Sequence, residues 1–196
     1  MRIEFFHNPA SVTPEELEAE LALLPQWRRS KALGLKNFTN RVLCVKAFLL
    51  LARILREDYA LGEVPQFVYG GHGKPSLEAH GDIHFNISHC RRGAMCVVDT
   101  HEVGCDMECS DRAVRANVLA RCMNDAERRA VESAADPRLE FARLWTRKEA
   151  VCKCTGKGLD DGLPSVLLPE RMAGFGITTC VAGDCGIVYS VCRKLH

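Results

Sequence analysis

Apolar and polar positions along the chain change period several times, and each change marks an element. Alternation over residues 2–7 predicts an opening strand. Thr13-Pro14-Glu15-Glu16 then reads as a helix start, with Thr13 as N-cap, Pro14 in the first position and Glu16 closing a capping box. Leu17, Leu21 and Leu24 give that helix one apolar stripe, and Pro25 stops it. A second helix over about residues 40–56 is apolar nearly all round (Val42, Leu43, Val45, Phe48, Leu49, Leu51, Ile54, Leu55), which predicts a central, buried position. Short strands follow at 66–69, 82–88, 93–99 and 103–108, the first two separated by Gly70-Gly71-His72-Gly73. Within 82–88, Ile83, Phe85 and Ile87 face one way, and His84, Asn86 and Ser88 the other.

Asn124 with Glu127 starts a further helix. Asp136-Pro137 starts another, running to about residue 154 and ending at Gly156. Strand-like runs at 165–168, 176–181 and 186–192 close the chain. The order helix, then three strands, thus occurs over 40–99 and again over 137–192. No low-complexity linker separates the two stretches, so the chain reads as one α+β unit of two intimate halves, residues 1–100 and 101–196.

Composition narrows the function classes. With 47% hydrophobic and 26% charged residues among 196, the chain has enough apolar material for a sizeable core. Lys+Arg number 26 against 25 for Asp+Glu, so no overall charge draws it to nucleic acid or to a membrane surface. Any basic site must be local, and residues 28–41 carry five basic side chains (Arg28, Arg29, Lys31, Lys36, Arg41) with no carboxylate among them. The eleven cysteines form no CxxC pair, and their scatter reads as reduced thiols packed as small hydrophobes. Glu4 and Asn8 interrupt any signal-peptide pattern, and the apolar run near 48–52 is too short to span a bilayer. These features together predict a cytoplasmic protein.

Candidate chemistry concentrates in the second half. Asp106 and Glu108, two apart on a strand, leave the same face about 7 Å from each other. Such a pair is either a solvated acidic edge or an oxygen-only site for Mg²⁺, which keeps waters and accepts phosphate oxygens. Glu149 and Lys153 share a helix face at i and i+4, and Gly156-Lys157-Gly158 lies just beyond. Ser88-His89, followed by Arg91 and Arg92, offers phosphate partners at a strand end. Gly73-Lys74-Pro75 lacks Walker spacing but fixes a lysine at a defined place.

Four segments together resemble the signatures of the 4′-phosphopantetheinyl transferases, in order and at the expected separations. They are Gly73-Lys74-Pro75, Phe85-Asn86-Ile87-Ser88-His89, Val103-Gly104-Cys105-Asp106-Met107-Glu108, and Trp145-x-x-Lys148-Glu149-Ala150-x-x-Lys153-x-x-Gly156-x-Gly158-Leu159. The match is to the Sfp-like, surfactin-type group, and the Trp/Lys-Glu-Ala form resembles one subgroup of it. The resemblance implies transfer of the phosphopantetheine arm of coenzyme A to a serine of an apo acyl or peptidyl carrier protein, with Mg²⁺ (or Mn²⁺) and release of 3′,5′-ADP. It implies a pseudo-twofold α+β monomer with a helix packed on a small antiparallel sheet in each half. Carried over, Asp106, Glu108 and Glu149 are the metal ligands, and Glu149 and Lys153 the catalytic pair. Arg41, Lys74, Pro75, Ser88, His89, Lys148 and Lys153 line the coenzyme A site, with Arg28 or Lys31 as further candidates beside Arg41 for the 3′-phosphate, and Glu127 matches a family acidic position. The rival readings are a non-catalytic relative that binds carrier protein or nucleotide, another Mg²⁺-dependent phosphate enzyme, and a cysteine-based metal or redox protein.

Overall fold

A computed structural model describes residues 1–158 and 162–195. The opening strand is β1 (Arg2–His7), and Thr13 caps α1 (Pro14–Ala22) through a complete capping box with Glu16. Residues 26–33, read from sequence only as part of a basic segment, form a helix, α2 (Gln26–Leu33). Its apolar stripe is masked because Arg28 takes a core position, with its guanidinium 5.3 Å from the Phe48 ring centre. The buried helix is α3 (Phe38–Tyr59), started by Asn37, whose side chain accepts from the Asn40 N–H. A short ribbon follows, β2 (Phe67–Tyr69) with β3 (Pro75–Leu77), then β4 (His84–Cys90), β5 (Gly93–Asp99) and β6 (Val103–Cys109). Then come α4 (Ala116–Cys122), α5 (Asp125–Ser133), α6 (Pro137–Thr155), α7 (Pro169–Met172), β7 (Phe175–Ala182) and β8 (Ile187–Lys194).

The strand expected at 165–168 is absent: Leu163–Ser165 is a 3-10 turn with Pro164 at its centre, Pro169 starts the next helix, and the Ser165 hydroxyl donates to the Gly162 carbonyl. Nor is the shared order helix, then three strands. Each three-stranded sheet takes one strand from before its helix and a hairpin from after it, giving β1-β5-β4 and β6-β8-β7. The strand at 67–69 belongs instead to the ribbon with β3.

These sheets pack in layers. One face of β1-β5-β4 lies on α3 through Phe85, Cys96 and Val98. Its other face (Ile3, Phe5, Met95, Val97) meets Cys105, Met107, Ile187 and Val191 of the second sheet, with the Phe5 and Tyr189 rings 4.8 Å apart. The far face of the second sheet lies on α6 through Val151, Cys154 and Cys192. β6 can approach α6 because Gly104 has no side chain: a Cβ there would fall 2.2 Å from the Cys154 nitrogen. Nine of the eleven cysteines are buried, which fits their reading as small hydrophobes. Among the described residues, no helix is long and apolar enough to cross a membrane.

Candidate active site

Period-two alternation puts Val103, Cys105 and Met107 into the inter-sheet core, so Asp106 and Glu108 leave β6 toward α6. This face is not the solvated edge that an isolated acidic pair would suggest: Asp106 is buried, covered by the α6 side chains. Glu149 and Lys153 project from α6 one turn apart, but Lys153 does not pair with Glu149. Its ammonium lies 2.6 Å from Asp106 Oδ1 and donates to Ser88 Oγ at 3.2 Å, while the Ser88 hydroxyl donates to the same Oδ1 at 2.7 Å. Burial pushes the Asp106 carboxyl up, against the pull of Lys153 and Ser88. Burial also works against the Lys153 ammonium, but Asp106 and its neighbours outweigh it and raise the lysine.

Glu149 has a different environment. It is buried yet makes no hydrogen bond or ion pair among the described residues. Its carboxyl is pushed up to about 7, chiefly by burial and then by Asp106, with Glu108 adding and Lys153 and Arg112 opposing. Glu108 is satisfied by the Arg112 guanidinium and by the Cys109 N–H at 2.9 Å. Arg112 in turn lies 4.9 Å over the Trp145 ring.

Beside this cluster runs a cleft of about 230 Å³ lined by His72, Gly73, Lys74 and Pro75, by Asn86 and Ile87, and by Glu149, Cys152, Lys153, Gly156 and Gly158. Both halves therefore contribute its walls. Gly156 closes α6 at φ 68° and turns the chain toward Lys74, whose ammonium donates to the Cys154 carbonyl at 2.7 Å and the Val103 carbonyl at 3.3 Å. Lys74 is thus tethered across the halves while its stem borders the cleft, and burial lowers its pKa.

Several residues expected around coenzyme A lie outside the lining of this cleft. Lys148 is fully buried, 2.8 Å from Glu127 and 2.7 Å from the Leu163 carbonyl, because one residue along a helix turns the side chain about 100° from Glu149. Glu127 also closes the α5 capping box with Asn124. Arg28 is in the core and donates to the Cys44 carbonyl, and Arg41 donates to the Leu35 carbonyl at 2.8 Å. Lys31 is exposed on α2. Ser88 is buried beneath Asp106, whereas His89 keeps solvent contact, with burial and Lys153 holding its imidazole below the ordinary range. Sequence reasoning missed Asn86, His72 and Cys152 as wall residues, and Arg112 as the partner of Glu108. The i, i+2 spacing of Asn86 and Ser88 was the available signal for Asn86.

The donor chemistry fits a hard divalent cation. Asp106 and Glu108 both push the Glu149 carboxyl up, Glu149 borders the cleft with no hydrogen bond or ion pair among the described residues, and every Asp106 hydrogen bond among them uses Oδ1, leaving Oδ2 unshared. No group of three metal-capable side chains among the described residues is already drawn together. Asp106 and Glu108 lean on Lys153 and Arg112, positive partners of the kind that a cation displaces.

The comparisons with known proteins give the family. The model of the 4′-phosphopantetheinyl transferase superfamily matches residues 102–179, which include β6 and α6. The 4′-phosphopantetheinyl transferase AcpT of Salmonella typhimurium is 35% identical over 132 residues, covering 62% of this chain and 68% of the relative. AcpT of Escherichia coli is 35% identical over 103 residues, 50% of this chain and 53% of the relative. The 4′-phosphopantetheinyl transferase Sfp of Bacillus subtilis is 25% identical over 207 residues, 98% of this chain and 92% of the relative. A chain that matches at this identity, with β6 and α6 inside the matched region, belongs to the 4′-phosphopantetheinyl transferase superfamily, whose enzymes transfer phosphopantetheine.

Proposed function

We propose that this enzyme moves the phosphopantetheine arm of coenzyme A onto a serine of an apo acyl or peptidyl carrier protein, with Mg²⁺ and with release of 3′,5′-ADP. The observation that carries the reading is Glu149: a largely buried residue whose carboxylate has no hydrogen-bond or ion-pair partner among the described residues and opens into the cleft, beside a buried carboxylate that is already paired to a lysine. A protein retains such a group where a ligand completes it.

Asp106, Glu108 and Glu149 would hold the cation, with Mn²⁺ as a substitute. When bound, it neutralises charge on the diphosphate and polarises the phosphorus under attack. The carrier serine oxygen forms its bond to the β-phosphorus of coenzyme A, and the bond from that phosphorus to the bridging oxygen breaks, so 3′,5′-ADP departs with that oxygen. Glu149 receives the serine proton, directly or through one water. Lys153, held charged by Asp106, stabilises the developing negative charge on the bridging oxygen. The Gly73-Lys74-Pro75 wall and the His89 end of β4 hold the nucleotide, with Arg41 and Lys31 nearest in sequence to a 3′-phosphate site. A cleft of about 230 Å³ encloses only part of coenzyme A, so the remainder lies along the surface between the halves. The common connectivity of the two sheets supports a pseudo-twofold arrangement of halves 1–100 and 101–196. We propose a monomer working in the cytoplasm, with neither nucleic acid nor membrane as partner.

The test is intact-mass spectrometry of apo carrier proteins incubated with the enzyme, coenzyme A and Mg²⁺. One phosphopantetheine mass increment is expected, absent with EDTA and reduced at least about 100-fold in rate by Glu149→Gln without loss of fold. Coenzyme A binding without transfer to any of several carriers would favour the non-catalytic alternative. Near-wild-type transfer by Glu149→Gln would remove Glu149 from the site.

A further inference from the structure

We propose that Asn86 and Ser88 are positioning residues that fasten β4 to β6 and thereby aim Asp106. The proposal rests on the reading of Asp106 as part of the transfer site. β4 and β6 are the facing edges of two different sheets, and no backbone ladder joins them. Two N–H groups on the β6 edge, at Cys105 and Met107, still need acceptors. Asn86 Oδ1 accepts from Cys105 N–H at 3.0 Å, and Ser88 Oγ accepts from Met107 N–H at 3.3 Å. The two acceptors are two residues apart on β4, as are the two donors on β6. Side chains thus take the place of strand carbonyls, and the sheets meet edge to edge at the distance of one short side chain.

The Ser88 hydroxyl is fully engaged in this network. Its single proton goes to Asp106 Oδ1 at 2.7 Å, and its lone pairs receive the Met107 N–H and the Lys153 ammonium at 3.2 Å. The hydroxyl is only one bond network away from the carboxylate, so it fixes which Asp106 oxygen faces Lys153 and which stays open. Asn86 borders the cleft, but its Oδ1 is turned to β6. Both side chains are 5% exposed, as buried stitches should be and as an exchangeable ligand contact need not be.

The test uses the full chain with Ser88→Ala, Ser88→Thr and Asn86→Ala. It reads amide hydrogen exchange at Cys105 and Met107, steady-state kinetics, and Mn²⁺ affinity by electron paramagnetic resonance. We expect Ser88→Ala to speed Met107 exchange and lower kcat, each about tenfold, and to weaken Mn²⁺ several-fold, with KM for coenzyme A within about twofold. Ser88→Thr, which keeps the hydroxyl, recovers kcat to within about threefold, and Asn86→Ala speeds exchange at Cys105. A tenfold rise in KM for coenzyme A with kcat and exchange unchanged would overturn the proposal and make Ser88 a ligand. Unchanged exchange in Ser88→Ala and Asn86→Ala would overturn the stitch itself, and if Ser88→Ala does not fold, Asn86→Ala and Ser88→Thr decide. Wild-type protein that neither bound Mn²⁺ nor transferred would fail the proposed function, while the exchange rates would still judge the stitch.

Discussion

Lys148 and Lys153 lie five residues apart on one helix and have opposite fates. Lys153 reaches the cleft and is paired with Asp106, whereas Lys148 is fully buried against Glu127 and the carbonyls of the Leu163–Ser165 turn. The two lysines therefore separate function from stability. Truncating Lys148 to Met leaves Glu127 partly buried without its counter-charge, a loss of about 3–5 kcal/mol for a fully buried pair. We expect Lys148→Met to lower the urea midpoint sharply while the folded fraction keeps its KM for coenzyme A. Lys148→Met with Glu127→Gln should recover part of the loss, because no ionised group then remains unpaired. A variant of normal stability with a raised KM would instead return Lys148 to the cosubstrate site.

At the scale of elements, the decisive contact is β6 on α6, because it brings Asp106 to Lys153. Gly104 permits it: a Cβ would lie 2.2 Å from the Cys154 nitrogen and 2.3 Å from the Ala150 carbonyl oxygen, both backbone atoms of a long helix that cannot give way. Gly104→Ala should therefore cost more than about 3 kcal/mol, at the upper end of overpacking, and abolish transfer, as read by thermal melting and by the mass assay. Near-wild-type melting would mean that β6 can lift from α6. The helices with local start signals were legible in the sequence, since Thr13, Asn124 and Asp136 bond N–H groups within three residues. The shared face of Asp106 and Glu108 was equally legible from strand period alone. α2 was hidden because an arginine fills a core position, and β3 because three residues beginning with Pro75 gain strand character only by pairing with β2. The strand order was hidden for the same reason: β1 finds β5 across some ninety residues, and nothing local in Arg2–His7 names its partner. That Lys148 points away from Glu149 was legible too, since adjacent helix residues never share a face.

At the scale of the molecule, the two halves share a core instead of merely touching. Ile3, Phe5, Met95 and Val97 from residues 1–100 are buried against Cys105, Met107, Ile187 and Val191 from residues 101–196. Polar contacts cross the same boundary: Asp99, 1% exposed, lies 2.7 Å from Arg193, and Lys74 donates to carbonyls of both β6 and α6. A fragment ending at residue 100 would expose one wall of that core and leave a buried carboxylate without its partner, as well as the unmatched side chains of Asn86 and Ser88. Together these losses are comparable to the whole stability of a domain of about 100 residues, which is about 5–15 kcal/mol. We therefore expect fragments 1–100 and 101–196, expressed separately, to give poorly dispersed amide spectra and no cooperative melt. Mixed in equal amounts, they should recover a dispersed spectrum and transferase activity together, because the cleft takes Lys74, Pro75 and Asn86 from one fragment and Glu149 and Lys153 from the other. A dispersed spectrum and a sharp melt from either fragment alone would make the halves separate domains, and the active site an interface between two independently stable bodies.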